Sequence, residues 1–460
     1  MDFCGFGRSG RHYLSSVRYV GLLIIKRSMK TLKMHRANEI ACGIDFGTSN
    51  TTVAIANGRD ESITLVPVEE QHLTIPSTIF FPAENPAVFF GRKAINAYVA
   101  REEGRFMRSF KRVLGTSLMK EGTTISGRTT RFEHIIGHFI EHIKNKAELL
   151  ADRDIENVVA GRPVHFIDGN DKADKEAEGQ LEAIFVSAGF KNIRFQYEPI
   201  AAAFAHELNS GDTERLAVVI DIGGGTSDFT IMRLSGRYIK KQDRQEDILA
   251  NAGTRIGGND FDRSLSLKCF MPLLGLGSFW GSKGLGFPIT PFFDLSELSK
   301  IQYMYAKKYK RDLRALISQS NDKVLTHRLL SIVEEELGHT LMARVEESKI
   351  QLSSSEQTTA DLAFIEANLQ APIDRAELEE SLYGNIESIQ KTIHECVVMA
   401  GVKADDVALV ILTGGGTAIP MIQQITHRIF PHAEISEGNR LSSVGFGLAC
   451  DARRCYLGGH

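Results

Sequence analysis

Ile44-Asp45-Phe46-Gly47-Thr48 near the start of the chain and Ile220-Asp221-Ile222-Gly223-Gly224-Gly225-Thr226 in its middle are two versions of one pattern. In each, an apolar run ends beside an aspartate, passes through a glycine turn, and resumes at a threonine into a second apolar run. That is the pattern of a β-hairpin. A long-period repeat of one hairpin, each copy followed by further strand and helix patterns, predicts two similar α/β lobes. Such lobes would face each other across a cleft, where ligands are commonly held.

The patterns between the copies fit that plan. Leu216 to Ile220 is an apolar strand, Asp228 to Met232 its return, and Asn157 to Ala160 a short buried strand ending at Gly161. Val407 to Leu412 is another buried strand, followed by Thr413-Gly414-Gly415-Gly416-Thr417 and an apolar helix from near Ile419. Ile135, Ile136, Phe139, Ile140 and Ile143 recur with helical spacing, and 172–188 and 374–400 read as amphipathic helices. The expected class is α/β, with two lobes of mixed β-sheet flanked by helices. The first lobe covers 40–213 and the second 214–455, the latter with an enlarged segment at about 263–345.

With 460 residues, 43% hydrophobic and 24% charged, the chain can build two or three cores. A net charge of −3 supplies no global basic field for nucleic acid or an anionic membrane. The six cysteines, Cys4, Cys42, Cys269, Cys396, Cys450 and Cys455, form no CxxC pair, which suggests a reducing, cytoplasmic compartment. Residues 1–39 are Arg- and Lys-rich and acid-poor, and their apolar run Val20 to Ile25 is too short to span a bilayer. They read either as an organelle transit peptide or, as favoured here, as an over-extended start with Met29 or Met34 the first residue and no firm structure.

A glycine turn after a buried strand can aim several backbone N–H groups at one point and lets a phosphate approach without a Cβ in the way. Thr48, Ser49, Thr226 and Ser227 add hydroxyls to the two hairpin turns. Asp45 and Asp221 beside them would repel a triphosphate unless a cation lay between, and Mg²⁺ prefers oxygen ligands and keeps several waters. The third turn, at Gly414, lacks the aspartate but leads into a helix N-terminus, which favours an anion or a nucleoside's α-phosphate.

These motifs resemble those of the DnaK-type heat-shock chaperones, members of the actin-like ATPase superfamily. Asp45 to Asn50, Asp221 to Asp228 and Leu412 to Thr417 are similar to the family's two phosphate motifs and its adenosine motif. Phe110-Lys111-Arg112-Val113-Leu114-Gly115, Tyr197-Glu198-Pro199, Ile256-Gly257-Gly258-Asn259-Asp260-Phe261-Asp262 and Glu346 to Ser354 resemble further family segments in the same order. Gly161 to Phe166 and Cys269 to Gly275 look more like the short YegD-type branch. The resemblance implies ATP or ADP with Mg²⁺, the metal held through water by Asp45 and Asp221. It implies that Gly47, Thr48 and Ser49 cradle the phosphates from one lobe, and Gly223, Gly224, Gly225 and Thr226 from the other. Lys111 would lie beside the γ-phosphate and Glu198 near the attacking water. Glu346, Lys349, Ser353, Gly414, Gly415 and Gly416 would hold the nucleoside.

Departures qualify this. The two arginines that sandwich adenine in the family stand here as Ile350 and Ala418, and a family aspartate aligns with Leu441. No peptide-binding domain is expected after the ATPase lobes, so the reading is a nucleotide switch or slow ATPase. A sugar or metabolite kinase and a filament-forming actin-like protein are the alternatives. Trp280, Phe287, Phe292 and Phe293 among glycines in the enlarged segment form either a partner surface or a buried sub-core. The basic stretch Lys300 to Arg314 reads as a solvated helix. His134, His138 and His142 fall four apart on one helix, but no carboxylate or cysteine pattern completes a zinc site.

Overall fold

The structure is a computed structural model that describes residues 40–458 apart from 61, 85–86, 101, 126, 168, 208–209, 242–243 and 438–441. The leader at 1–39 and Leu441 lie outside the described residues. The first hairpin is β1 (Ile40–Phe46) and β2 (Asn50–Asn57), antiparallel, with Asp45 opposite Thr52. β3 (Ile63–Leu65) pairs antiparallel with β2 on the outer side. β4 (Asn157–Arg162) and β5 (Asn192–Tyr197) add in parallel beyond β1, giving the order β5-β4-β1-β2-β3. β1 and β4 read as nearly continuous apolar runs because both of their faces are covered. Helix α1 (Phe132–Ala151) buries the predicted stripe Ile135, Ile136, Phe139, Ile140 and Ile143. Helix α2 (Asp171–Ser187) packs beside it, with the Asn170 side chain accepting from the Ala173 N–H at its start. Helix α3 (Glu198–Glu207) follows β5 directly.

The second hairpin is β6 (Arg215–Ile222) and β7 (Ser227–Leu234), with Asp221 opposite Asp228. β8 (Ile248–Thr254) pairs antiparallel with β7, and β9 (Leu409–Thr413) and β10 (Glu434–Ser436) add in parallel beyond β6. The order β10-β9-β6-β7-β8 repeats that of the first sheet strand for strand. Around it lie α4 (Gly258–Leu265), α5 (Gly338–Leu352), α6 (Arg375–Ala400) and α7 (Pro420–Ile429). Asp374 and Glu377 form a capping box at the start of α6, and Gly401, at φ +65°, ends it.

Residues 263–345 elaborate the second lobe. Phe287 and Phe292 are buried in its core and Trp280 packs on that core, the buried sub-core expected of these aromatics, whereas Phe279, Leu285 and Ile289 are exposed. The basic stretch forms two helices, Ile301–Met304 and Lys307–Ser318, rather than one. It is not wholly solvated: Ile301, Met304 and Leu313 are buried.

A third core joins the lobes. α3 and α8 (Ser443–Ala452) cross between the sheets, and Ala201, Ala202, Ala203, Leu448 and Ala452 cluster there with Ala41, Val159, Ala217 and Ile411. The approach is backbone to backbone. A Cβ on Gly447 would run into the Ala201 carbonyl oxygen, and one on Gly43 of β1 into the Leu448–Ala449 backbone. Neither neighbour is a flexible side chain that could move aside. Gly447→Ala is expected to cost about 2 kcal/mol or more in denaturant unfolding, the upper range for overpacking. A cost below about 0.5 kcal/mol, the level of an ordinary surface substitution, would contradict this account of the crossing.

Candidate functional site: a charged cleft between three glycine turns

The first turn, Gly47-Thr48-Ser49, joins β1 to β2. The second, Gly223 to Thr226, joins β6 to β7 and is closed by the Gly223 N–H donating to the Thr226 carbonyl at 3.0 Å. These two turns meet: the Ser49 hydroxyl occupies the place a Cβ on Gly224 would take. The third turn follows β9. Gly414 has φ +78°, and a Cβ there would lie 2.6 Å from Asp221 Oδ1, so Asp221 touches the third turn as well as bordering the second. Gly415 to Ala418 then form a 3₁₀ turn ahead of α7. The structure thus brings the three glycine turns to one cleft.

Lys111 enters from the 3₁₀ turn Phe110–Val113. Phe110 anchors that turn by packing on Phe46 and Phe139, with ring centroids 5.9 and 5.3 Å away. Lys111 is not a solvated surface lysine: its side chain is only 9% exposed, and Nζ lies 2.9 Å from Glu198 Oε1. Glu198 is the first residue of α3, and Gly161 at the end of β4 leaves room for it, since a Cβ there would lie 3.2 Å from Glu198 Cγ.

The electrostatics are unbalanced. Burial, then Glu198 and Asp221, holds the Asp45 carboxyl well above the usual range despite the opposing effect of Lys111. Burial, then Glu198 and Asp228, does the same to Asp221. Burial opposes the charge on Lys111, but Glu198 and Asp45 outweigh it and raise its pKa. Asp45, Asp221 and Glu198 therefore face a single lysine, an excess of negative charge that a hydrated divalent cation would relieve. Among the described residues no three His, Cys, Asp or Glu groups are placed to grip an ion directly. The carboxylate oxygens of Asp45 and Asp221 are the kind of ligand that Mg²⁺ takes alongside several waters.

On the α5 side the expected nucleoside residues are already partnered. Lys349 Nζ lies 2.7 Å from Asp262 Oδ1 and donates to the Gly258 carbonyl at 3.1 Å. Glu346 pairs across the cleft with Arg108 of the first lobe at 3.5 Å. Burial opposes ionisation of Glu346, but Arg108 and Lys349 prevail and hold its pKa low. The Ser353 hydroxyl donates back to the Lys349 carbonyl at 3.2 Å. Thr226 and Ile350 are exposed, and Ala418 is half-buried.

A sequence profile described as "Hsp70 protein" matches residues 41–270 and 330–453. The chain belongs to the Hsp70 family. Its fold is therefore that of an actin-like ATPase, in two similar lobes around a nucleotide cleft. It is 26% identical over 426 residues to the chaperone protein DnaK of Thermosipho melanesiensis, covering 91% of this chain and 60% of that one. It is 28% identical over 426 residues to the chaperone protein DnaK of Mycoplasmopsis agalactiae, covering 90% and 58%. The chain thus spans about three-fifths of the length of these relatives. The stretch that the Hsp70 profile skips, 271–329, falls inside the enlarged segment of the second lobe. No helix among the described residues is long and apolar enough to cross a membrane.

Sequence reasoning on this Hsp70 chain missed several residues at the cleft. Arg112 donates to the Gly225 carbonyl at 3.3 Å and so bridges the lobes. Its place beside Lys111 was the only signal. Asp262 and Arg108 pair with residues far away in sequence, which no local pattern reveals. The zinc-like histidines part company: His142 stacks on Phe90 at 4.1 Å, with burial pulling its pKa down to about 4, while His134 and His138 lie on the surface near Glu133 and Glu141.

The mouth of the cleft is also bridged. The Tyr98 hydroxyl donates to the Glu336 carbonyl at 2.9 Å, and Arg105 donates to Gln302 Oε1 at 2.9 Å. His339, near the start of α5, is 6% exposed and lies edge-on to Tyr98 and Phe106 of the first lobe. Burial, then Arg108 and Arg105, lowers its pKa to about 3. A histidine held below its unfolded pKa contributes stability that is complete above about pH 6.5 and lost as pH falls toward the native value. His339→Phe keeps a ring and removes the titration. The parent is expected to lose about 1.4 kcal/mol per pH unit more than this variant between about pH 6 and pH 4, read from denaturant unfolding. Parallel stability curves over that range would contradict the assignment.

Proposed function

We propose that the chain is a nucleotide switch with slow ATPase activity, a DnaK-like chaperone component of the short YegD type that binds Mg-ATP and Mg-ADP in a reducing, cytoplasmic compartment. The observation that carries this reading is the convergence of three glycine turns on Asp45, Asp221, Glu198 and Lys111. The division into lobes 40–213 and 214–455 belongs to the same proposal, as switching would use closure of one lobe on the other.

The roles follow from position. Asp45 and Asp221 would hold Mg²⁺ through its waters, and the ion when bound supplies charge neutralisation at the phosphates. The amides of Gly47, Thr48 and Ser49 and of Gly223, Gly224, Gly225 and Thr226 would meet the β- and γ-phosphates from two sides. Gly414, Gly415 and Gly416, with Glu346, Lys349 and Ser353, would border the nucleoside. Glu198, held by Lys111, would orient water, and Lys111 would meet charge that develops on the transferred phosphoryl group. Ile350 and Ala418 offer no cation to stack on adenine, so the base should be held less firmly than an arginine sandwich would hold it. The elaborated segment, with Phe279, Leu285 and Ile289 exposed, is the surface proposed for a protein partner.

Lys111→Ala tests the catalytic part. Loss of one preorganised charge at a transition state costs on the order of 10²–10³ in rate, with much less effect on ground-state binding. Single-turnover hydrolysis of Mg-ATP should therefore fall by about that factor while equilibrium Mg-ADP affinity changes little. Equal rates would remove Lys111 from the mechanism. Turnover that rises with an added sugar, which becomes phosphorylated, would favour a kinase.

A further inference from the structure

Ser77 lies 28 or more residues from every glycine turn in sequence, yet it sits directly behind the first one. The short strand Ile75–Pro76 pairs with the start of β2 and delivers it there. Its side chain is 1% exposed. The Ser77 hydroxyl donates to the Gly47 carbonyl at 2.7 Å, and its N–H donates to the Ser49 carbonyl at 2.8 Å. The Thr51 hydroxyl, 3.0 Å away, completes the group.

Every described peptide is trans, so the C=O and the following N–H of one peptide plane point in opposite directions. A Gly47 carbonyl drawn back onto buried Ser77 therefore sends the Thr48 N–H the other way, to the side that is half-exposed. The other two turns use the same device with different parts. The Gly258 and Asn259 N–H groups at the start of α4 hold the carbonyls of Gly223 and Gly224 at 2.9 and 2.8 Å. The Thr417 hydroxyl holds the Gly414 carbonyl at 2.7 Å. In each turn at least one carbonyl is held by a neighbouring donor, and the trans peptide plane turns the amide that follows it the opposite way.

We propose that Ser77 is a positioning residue for phosphate: by restraining the carbonyls of Gly47 and Ser49 it aims the Thr48 amide of the first turn at a diphosphate or triphosphate oxygen. This rests on the nucleotide reading above. Without the hydroxyl, the half-buried Gly47 carbonyl loses the donor that restrains it. The peptide then regains a partner by rotating, and the amide turns away with it. The consequence is specific to phosphate, because the nucleoside would be held from α5 and the third turn.

The experiment is calorimetry on the full chain with Mg-ADP and, separately, adenosine, for the parent, Ser77→Ala, Ser77→Cys and Ser77→Thr, with ligand-free thermal unfolding of each. Ser77→Ala and Ser77→Cys should bind Mg-ADP about tenfold more weakly, with adenosine affinity unchanged within about twofold. Ser77→Thr, which keeps the hydroxyl, should recover most of the Mg-ADP affinity. Ser77→Cys preserves the side-chain volume and carries the same expectation should the alanine variant not fold. Unchanged Mg-ADP binding in the variants, or equal losses for both ligands, would overturn the positioning role and leave the nucleotide reading standing. A parent that binds neither ligand would overturn both.

Discussion

The close seat of α8 on α3 and β1 sets the geometry of the whole molecule. Two sheets that each bury both faces need something thin between them, and a helix pair built on Ala201, Ala202, Ala203 and Gly447 is thin enough. Because the helices touch backbone to backbone, the ends of β1 and β6 are held where Asp45 and Asp221 share one electrostatic environment. Glu198, the first residue of α3, is delivered by the same helix that spaces the lobes. This third core therefore decides both how far apart the lobes stand and which charges meet between them.

That meeting is costly on its own. Three carboxylates and one lysine have lost much of their hydration, and the carboxylates outnumber the cation. The apolar cores of the two lobes offset this locally unfavourable arrangement, and a ligand that brought a cation would relieve it. Around the rim, Arg108–Glu346, Arg112–Gly225 and Tyr98–Glu336 hold the lobes together across the cleft. They are partly exposed polar contacts of modest strength.

Much of this was legible in the chain because it is written locally. The paired aspartate–glycine turns marked both hairpins, and the helical spacing of Ile135 to Ile143 marked α1, since strand burial and helix periodicity leave period-specific patterns. The strand-for-strand repetition of the two sheets follows from the same echo. What escaped depends on partners distant in sequence. Ser77 is an ordinary serine after a proline until the fold places Gly47 against it, and His339 is an ordinary helix residue until Tyr98 and Phe106 close over it. The elaborated segment was ambiguous for another reason: its glycines and aromatics have no period, so burial of Phe292 and exposure of Phe279 were indistinguishable beforehand.

If three turns, contributed by both lobes, serve one ligand, that ligand should protect all of them together. Amide hydrogen exchange with and without Mg-ADP reads all three at once. Added Mg-ADP is expected to slow exchange together at 47–49, 223–226 and 414–417, with the same dependence on ligand concentration. Protection confined to one turn, or found only away from all three, would contradict it.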